Sequence, residues 1–98
     1  MISLVANPDR YDGKRLRLIG YLHLEFEGDE LCPTAEIQRA RDASSCIWID
    51  ATPQMTPLSD QYVIVEGQFS SWDHGHMGRF SGAIQNVTRA QRWWHGTP

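Results

Sequence analysis

The chain has 98 residues, of which 41% are hydrophobic and 21% are charged, and its formal net charge is −3. A chain of this length can bury one modest core, so we expect a single domain spanning residues 1–98. The acidic balance disfavours a protein built mainly to hold phosphates, because such proteins are basic or carry a dense basic stripe.

The N-terminal residues 1–8 contain no basic segment followed by a long apolar run, so they do not resemble a signal peptide. No stretch approaches the roughly 18 apolar residues that a membrane span requires. We therefore predict a cytoplasmic protein. Ser3 is placed to cap a short helical turn over residues 4–7, which Pro8 then ends.

Residues 14–26 alternate as a long strand. Its predicted inward face carries Gly20 among apolar side chains, namely Leu16, Leu18, Leu22, Leu24 and Phe26. The opposite face carries Arg15, Arg17, Ile19, Tyr21, His23 and Glu25. A central inward glycine is typical of a strand that coils sharply where a barrel closes. A turn at residues 27–29 then leads into a short strand over residues 30–32.

The middle of the chain is less regular. Residues 33–42 predict a short helix or a helical loop, and residues 45–50 predict a buried strand with Ile47 and Ile49 inward. Two prolines within residues 52–57 indicate a loop. The alternation resumes at residues 61–70, with Val63, Val65 and Phe69 inward and Gly67 between them.

The last strand is predicted over residues 80–88, with a bulge near Asn86, after a glycine-rich loop at residues 72–78. Residues 89–98 form a tail without a period, so the barrel should span about residues 14–88. Five strands with alternating faces need closure, and a small all-β Greek-key barrel provides it. The expected interior consists of the inward residues Leu16, Leu18, Leu22, Leu24, Ile47, Ile49, Val63, Val65, Phe69 and Ile84.

Two segments also carry a family resemblance. Residues 7–22 read NPDRYDGKRLRLIGYL, and residues 75–87 read GHMGRFSGAIQNV. The first resembles the opening of bacterial OB-fold domains of the tRNA-anticodon-binding-like kind. Together the two are similar to a family of small, uncharacterised bacterial OB-fold proteins. The resemblance implies an OB-type barrel and leaves the function open, because OB folds bind oligonucleotides, oligosaccharides and proteins alike.

Candidate catalytic and metal-binding groups are few. Cys32 and Cys46 are expected to be free thiols packed as small apolar groups, and a bridge between neighbouring strands is the alternative. His74 and His76 lie one residue apart, but no further ligands in the sequence complete a metal site, and His23 and His95 would join them only by an accident of the fold. We therefore expect no enzyme activity, metal or cofactor.

Four acids cluster at the first hairpin, namely Glu25, Glu27, Asp29 and Glu30. Such a cluster repels phosphates and attracts a basic protein surface. Trp72, Trp93 and Trp94 are the candidate apolar anchors, unless they cover an open end of the barrel. The sequence therefore favours a protein-binding module, and a bacterial immunity protein that neutralises a toxin fits a small acidic barrel.

The alternative is a single-stranded nucleic acid or another oligomer bound across the sheet. Arg15, Arg17, Tyr21 and Trp48 would then share one exposed face. Aromatic rings flanked by arginine stack bases in many OB folds. Charge favours the protein-binding hypothesis over this one.

Overall fold

The computed structural model describes residues 1–93, so Trp94 and His95 lie outside the described part of the chain. The α-helices are α1 (Ile2–Ala6) and α2 (Ala35–Arg39), and short 3-10 helices lie at Pro8–Tyr11, Ala43–Ser45, Pro53–Leu58 and His76–Gly78. The strands are β1 (Arg15–His23), β2 (Glu30–Cys32), β3 (Ile47–Ile49), β4 (Gln61–Ser70) and β5 (Ala83–Arg92). No helix among the described residues is both long enough and apolar enough to cross a membrane.

The five strands close into one barrel in the order β1-β2-β3-β5-β4. Neighbouring strands run antiparallel except β3 and β5, which pair parallel at Trp48–Ala83 and Ile49–Ile84. β1 closes the barrel, because it pairs with β4 along most of its length and with β2 at its end. The prediction of an all-β, OB-type barrel with a helix between its second and third strands is confirmed.

Two mid-strand glycines stand where backbones approach each other closely. A Cβ atom on Gly20 would lie 2.7 Å from the carbonyl oxygen of Cys32, and one on Gly67 would lie 2.7 Å from that of Gln85. Side chains at these positions would force the strands apart. Both glycines therefore allow the sharp coiling that closes a five-stranded barrel.

The barrel interior largely matches the prediction. Eight of the ten predicted residues are buried, namely Leu18, Leu22, Ile47, Ile49, Val63, Val65, Phe69 and Ile84. Leu16 and Leu24 are only partly buried against this core. Leu4, Leu31 and Met55 belong to it as well, although the alternation did not single them out.

The first strand is shorter than predicted and ends at His23. The backbone N–H of Leu24 donates to the Ser59 hydroxyl at 3.0 Å, and Glu27 takes a left-handed conformation with φ 55°. The chain therefore turns before the alternation ends. The prediction that Phe26 points inward is wrong, because its side chain is 91% exposed.

Both ends of the chain also differ from the prediction. At the N-terminus, α1 begins after Met1, and Ser3 lies inside the helix and does not cap it. At the other end, β5 continues four residues beyond Thr88, into what was expected to be an aperiodic tail. It does so through the predicted bulge, where Gly67 alone faces residues 86–88 and Asn86 has φ 50°.

Candidate functional site

The outer face of β2 and β3 carries a disulfide. Cys32 and Cys46 face each other across the two strands with 4.4 Å between their Cα atoms, and their sulfurs are bonded. The expectation of two free thiols is therefore wrong. The cause is the register, because the Leu31–Ile47 pair places these two cysteines directly opposite each other. Both are buried beneath Phe80.

The segment that covers this face is the glycine loop (residues 71–82). The Phe80 ring contacts Trp48 edge to face at 5.6 Å between centroids, and a Cβ atom on Gly75 would lie 2.8 Å from the Cβ of Trp48. The His74 Nδ1–H donates to the Phe80 carbonyl at 2.7 Å. The loop is thus fixed against the sheet, and it crosses the face that an OB barrel normally offers to a ligand.

A cleft of about 340 Å³ opens between the glycine loop and the first hairpin loop (residues 24–29). The hairpin contributes Glu25, Phe26 and Glu27, and the glycine loop contributes His76, Arg79 and Phe80. Glu30 and Arg41 complete its charged lining. A contact spans the two loops at the cleft, since His76 Nε2 lies 3.4 Å from a Glu27 carboxylate oxygen.

Glu25 is the most strongly paired carboxylate of the cleft. Its Oε1 accepts from Arg41 Nη1 at 2.6 Å and lies 3.0 Å from His23 Nε2. The Arg41 hydrogen bond holds the pKa of Glu25 below its ordinary value. The other ring nitrogen of His23 lies 2.6 Å from Asp60. This network joins the hairpin loop to α2 and to the start of β4.

Glu30 was expected on the exposed hairpin, but only 7% of it is exposed. Its Oε1 accepts from Gln38 Nε2 at 3.2 Å, and no ion pair within residues 1–93 includes it. Burial raises the pKa of Glu30 above its ordinary value. Burial also raises the pKa of Asp29, which accepts from the Glu25 backbone. The four predicted acids are therefore close together but differ in exposure.

The metal-binding chemistry of the described residues is limited. Oxygen of Glu30 and the sulfurs of Cys32 and Cys46 lie within 4.8 Å of one another. The sulfurs are bonded to each other, however, and thiolates are the form that binds metals. His74 and His76 contact a carbonyl and a carboxylate respectively, and they do not converge on a shared point.

Exposed apolar side chains flank the cleft. Phe26 lines the cleft and is 91% exposed, and Met77, which follows the lining residue His76, is 76% exposed. Trp72 is 81% exposed, so it does not cover the barrel, and it lies beside Pro8 and not in the cleft. Trp93 is half-buried and its backbone N–H donates to the Tyr62 carbonyl. Trp94 lies outside the described residues.

The residues of the alternative nucleic-acid face do not form one exposed surface. Tyr21 is buried, and its ring contacts that of Tyr62. Trp48 is half-buried beneath the glycine loop, and its indole N–H donates to Asp50. Arg15 and Arg17 lie at the far end of β1, where Arg15 donates to Thr88 and Arg17 pairs with Glu66 at 3.7 Å. The two rings are therefore not available as a stacking platform.

Among the charged and aromatic side chains of the cleft, sequence reasoning missed four, namely Phe26, Arg41, Arg79 and Phe80. The alternation predicts Phe26 in the core because it continues in the sequence past His23, where β1 ends. The position of Phe26 among four acids was the available signal, since a hairpin tip is normally polar.

Comparison with protein-family models, curated proteins and solved structures finds no match for this chain.

Proposed function

We propose that this chain is a non-catalytic protein-binding module that engages a basic surface of its partner through the cleft. The observation that carries the proposal is Phe26, which is 91% exposed and lines the cleft among its carboxylates. Met77, which is also exposed and follows the lining residue His76 in the glycine loop, is a second candidate anchor. A large side chain held in water on a short turn contributes little to the fold. It is available as an anchor for a partner.

The position of the cleft within the barrel supports the proposal. OB folds bind their ligands at the face of strands 2 and 3 and at the loops that border it. Here the glycine loop covers the strand face, so the accessible part of that region is the cleft between the two loops. A ligand would therefore contact loop side chains and not the flat surface of the sheet. Such contacts suit a protein partner better than a single strand of stacked bases.

The charges favour a basic partner. Three carboxylates line the cleft, those of Glu25, Glu27 and Glu30, against the two guanidinium groups of Arg41 and Arg79. A surplus of negative charge at a contact surface attracts a basic partner and raises the association rate, and the effect weakens as salt is added. A toxin neutralised by an immunity protein is one such basic partner, and this narrower assignment stays a prediction from the sequence.

The test is capture of a partner from source-cell extract on the immobilised protein, followed by affinity measurement with the purified partner. We expect the F26A/M77A double variant to bind at least about tenfold more weakly, as loss of an anchor does. Ile2→Ala is the matched control, since Ile2 is 74% exposed but lies away from the cleft. Unchanged affinity of the double variant would overturn the proposal.

The competing ligand class is tested in parallel with labelled single-stranded DNA and RNA by fluorescence anisotropy. We expect affinities weaker than about 10 μM at physiological salt, because few phosphates can be neutralised by this surface. Submicromolar binding with a steep salt dependence would overturn the proposal of a protein partner in favour of a nucleic acid.

A further inference from the structure

We propose that the cleft recognises a guanidinium group, that of an arginine side chain on the partner, and that Arg41 occupies part of this site as an internal competitor. The inference rests on the proposed function, since it concerns the same cleft. It adds the chemical identity of the group that is bound.

The first support is a guanidinium already present in the cleft. Arg41 follows α2 in a left-handed conformation with φ 59°, and its Nη1 donates to Glu25 Oε1 at 2.6 Å. The side chain of Arg41 is 65% exposed, so this pair forms at the mouth of the cleft and not in its depth. The cleft thus binds one guanidinium through one of its carboxylates.

The second support is a buried carboxylate that makes no direct ion pair within residues 1–93. Glu30 lines the cleft, is 7% exposed and receives a hydrogen bond only from the neutral amide of Gln38 among the side-chain contacts within residues 1–93. A buried carboxylate is stabilised strongly by a cation that reaches it, because little water screens the pair. A partner cation entering the cleft would meet this group in its lining.

The third support distinguishes arginine from lysine. Phe26 and Phe80 line the cleft together with the carboxylates. A guanidinium is planar and weakly hydrated, stacks on aromatic rings and donates to a carboxylate through two N–H groups at once. An ammonium is a compact, strongly hydrated charge that gains less from contact with aromatic rings. Rings beside carboxylates therefore favour arginine.

The competition has a direction that can be measured. While Arg41 holds Glu25, an incoming guanidinium meets one occupied carboxylate and two like charges, those of Arg41 and Arg79. Substituting Arg41 should leave Glu25 with His23 as its remaining side-chain partner and remove one of the two like charges, so affinity for an external guanidinium should rise. Substituting Glu30 should lower that affinity, although Gln at this position can still accept from Gln38 and keep the local fold.

The experiment is an NMR titration of the ¹⁵N-labelled protein with Nα-acetyl-arginine N-methylamide, following the amides of residues 25–30 and 76–80. We expect binding about three- to tenfold tighter in Arg41→Gln and at least about fivefold weaker in Glu30→Gln, the range of one charge pair in a partly desolvated site. Arg39→Gln is the matched control, since Arg39 ends α2 and does not line the cleft. It should leave the affinity unchanged.

Two further probes identify the recognised chemistry. The citrulline analogue has nearly the same shape without the charge, and the lysine analogue has the charge without the planar guanidinium group. Equal binding of either one, or no gain in Arg41→Gln, would overturn the inference. Melting temperatures of all variants show whether a loss of binding is a loss of fold.

The two proposals fail separately. If the arginine probe does not bind while F26A/M77A abolishes partner capture, the protein-binding function stands and the guanidinium site does not. If the probe binds as expected while F26A/M77A captures partner normally, the guanidinium site stands and the proposed docking surface is wrong.

Discussion

The barrel interior and the covered outer face of β2 and β3 are both buried, yet different interactions hold them. The interior packs mainly aliphatic side chains, most of them from alternating positions of the five strands. The outer face joins Cys32 to Cys46 covalently and places Phe80, from a loop more than thirty residues further along the chain, over the bridge.

The comparison shows what each region requires. Burial inside the barrel follows from a local period, because every second residue of a strand points inward. Burial outside it depends on strand register and on the path of one loop. The inside should therefore respond to loss of side-chain volume, and the outside to loss of a cross-link.

The largest expected effect is truncation inside the barrel. Leu22 is fully buried, so Leu22→Ala should lower the free energy of unfolding by about 3–5 kcal/mol through lost transfer energy and a cavity. Urea unfolding followed by tryptophan fluorescence measures it. Ile19→Ala is the control on the outward face of the same strand, where 42% of the side chain is exposed and the effect should be far smaller. Similar costs at both sites would contradict the assigned interior.

Next comes loss of the cross-link on the outer face. The bridge joins residues 14 apart, and opening it should lower stability by about 3 kcal/mol, the scale of loop closure for such a length. Unfolding is compared with and without a dithiol reductant. The C32A/C46A variant is the control and should not respond to the reductant. If the stability of the wild-type protein also did not change with reductant, the disulfide would be contradicted and the free thiols predicted from the sequence would be supported.

A smaller effect is expected where the outer face meets the cleft. Burial raises the pKa of Glu30, so its charged form opposes folding, and stability falls as pH rises through that pKa. Glu30→Gln should therefore raise stability at pH 7 by on the order of 1 kcal/mol, and the difference should vanish below the ordinary pKa of glutamate. Thermal unfolding measured from about pH 3 to about pH 8, an interval that includes the ordinary pKa values of carboxyl groups, tests this.

Glu25→Gln is the matched control with the opposite sign. Arg41 lowers the pKa of Glu25, so the charged form favours folding above the ordinary pKa, and this contribution is lost as pH falls. The variant should be slightly less stable at pH 7, by well under about 1 kcal/mol for so exposed a pair. Shifts of equal sign in the two variants would contradict their assigned environments.

The smallest effect is expected at Trp72, which is 81% exposed. Trp72→Ala should change the free energy of unfolding by no more than about 0.5 kcal/mol, as surface substitutions do. Phe80→Ala, in the same loop but 3% exposed, is the positive control and should lower the melting temperature clearly. A marked loss of stability in Trp72→Ala would instead support the alternative that Trp72 covers an open end of the barrel.

Much of the fold could be predicted from the sequence, because alternation and mid-strand glycines are local signals. The sequence predicts β4 at residues 61–70 and β2 at residues 30–32, and the structure confirms both ranges. Errors arose where tertiary contacts end or extend a strand. The Ser59 hydroxyl contributes to ending β1 early, and the bulge at Asn86 lets β5 continue.

The candidate site was less predictable. The acids of the hairpin could be found as a cluster, but their exposure could not, because Gln38 and Arg41 come from the irregular segment between β2 and β3. The disulfide was one of two alternatives, since only the register decides whether two cysteines face each other. The residues that shape the cleft are adjacent in space through loops, for which no sequence period exists.

The second half of β5 has a practical consequence for where the domain may be cut. Residues 89–92 pair with β4 from Glu66 back to Val63, beyond the bulge. A fragment ending at residue 88 would leave that stretch of β4 without its partner and present an open edge. Exposed strand edges template intermolecular pairing, so such a fragment should aggregate while the chain through residue 93 stays monodisperse.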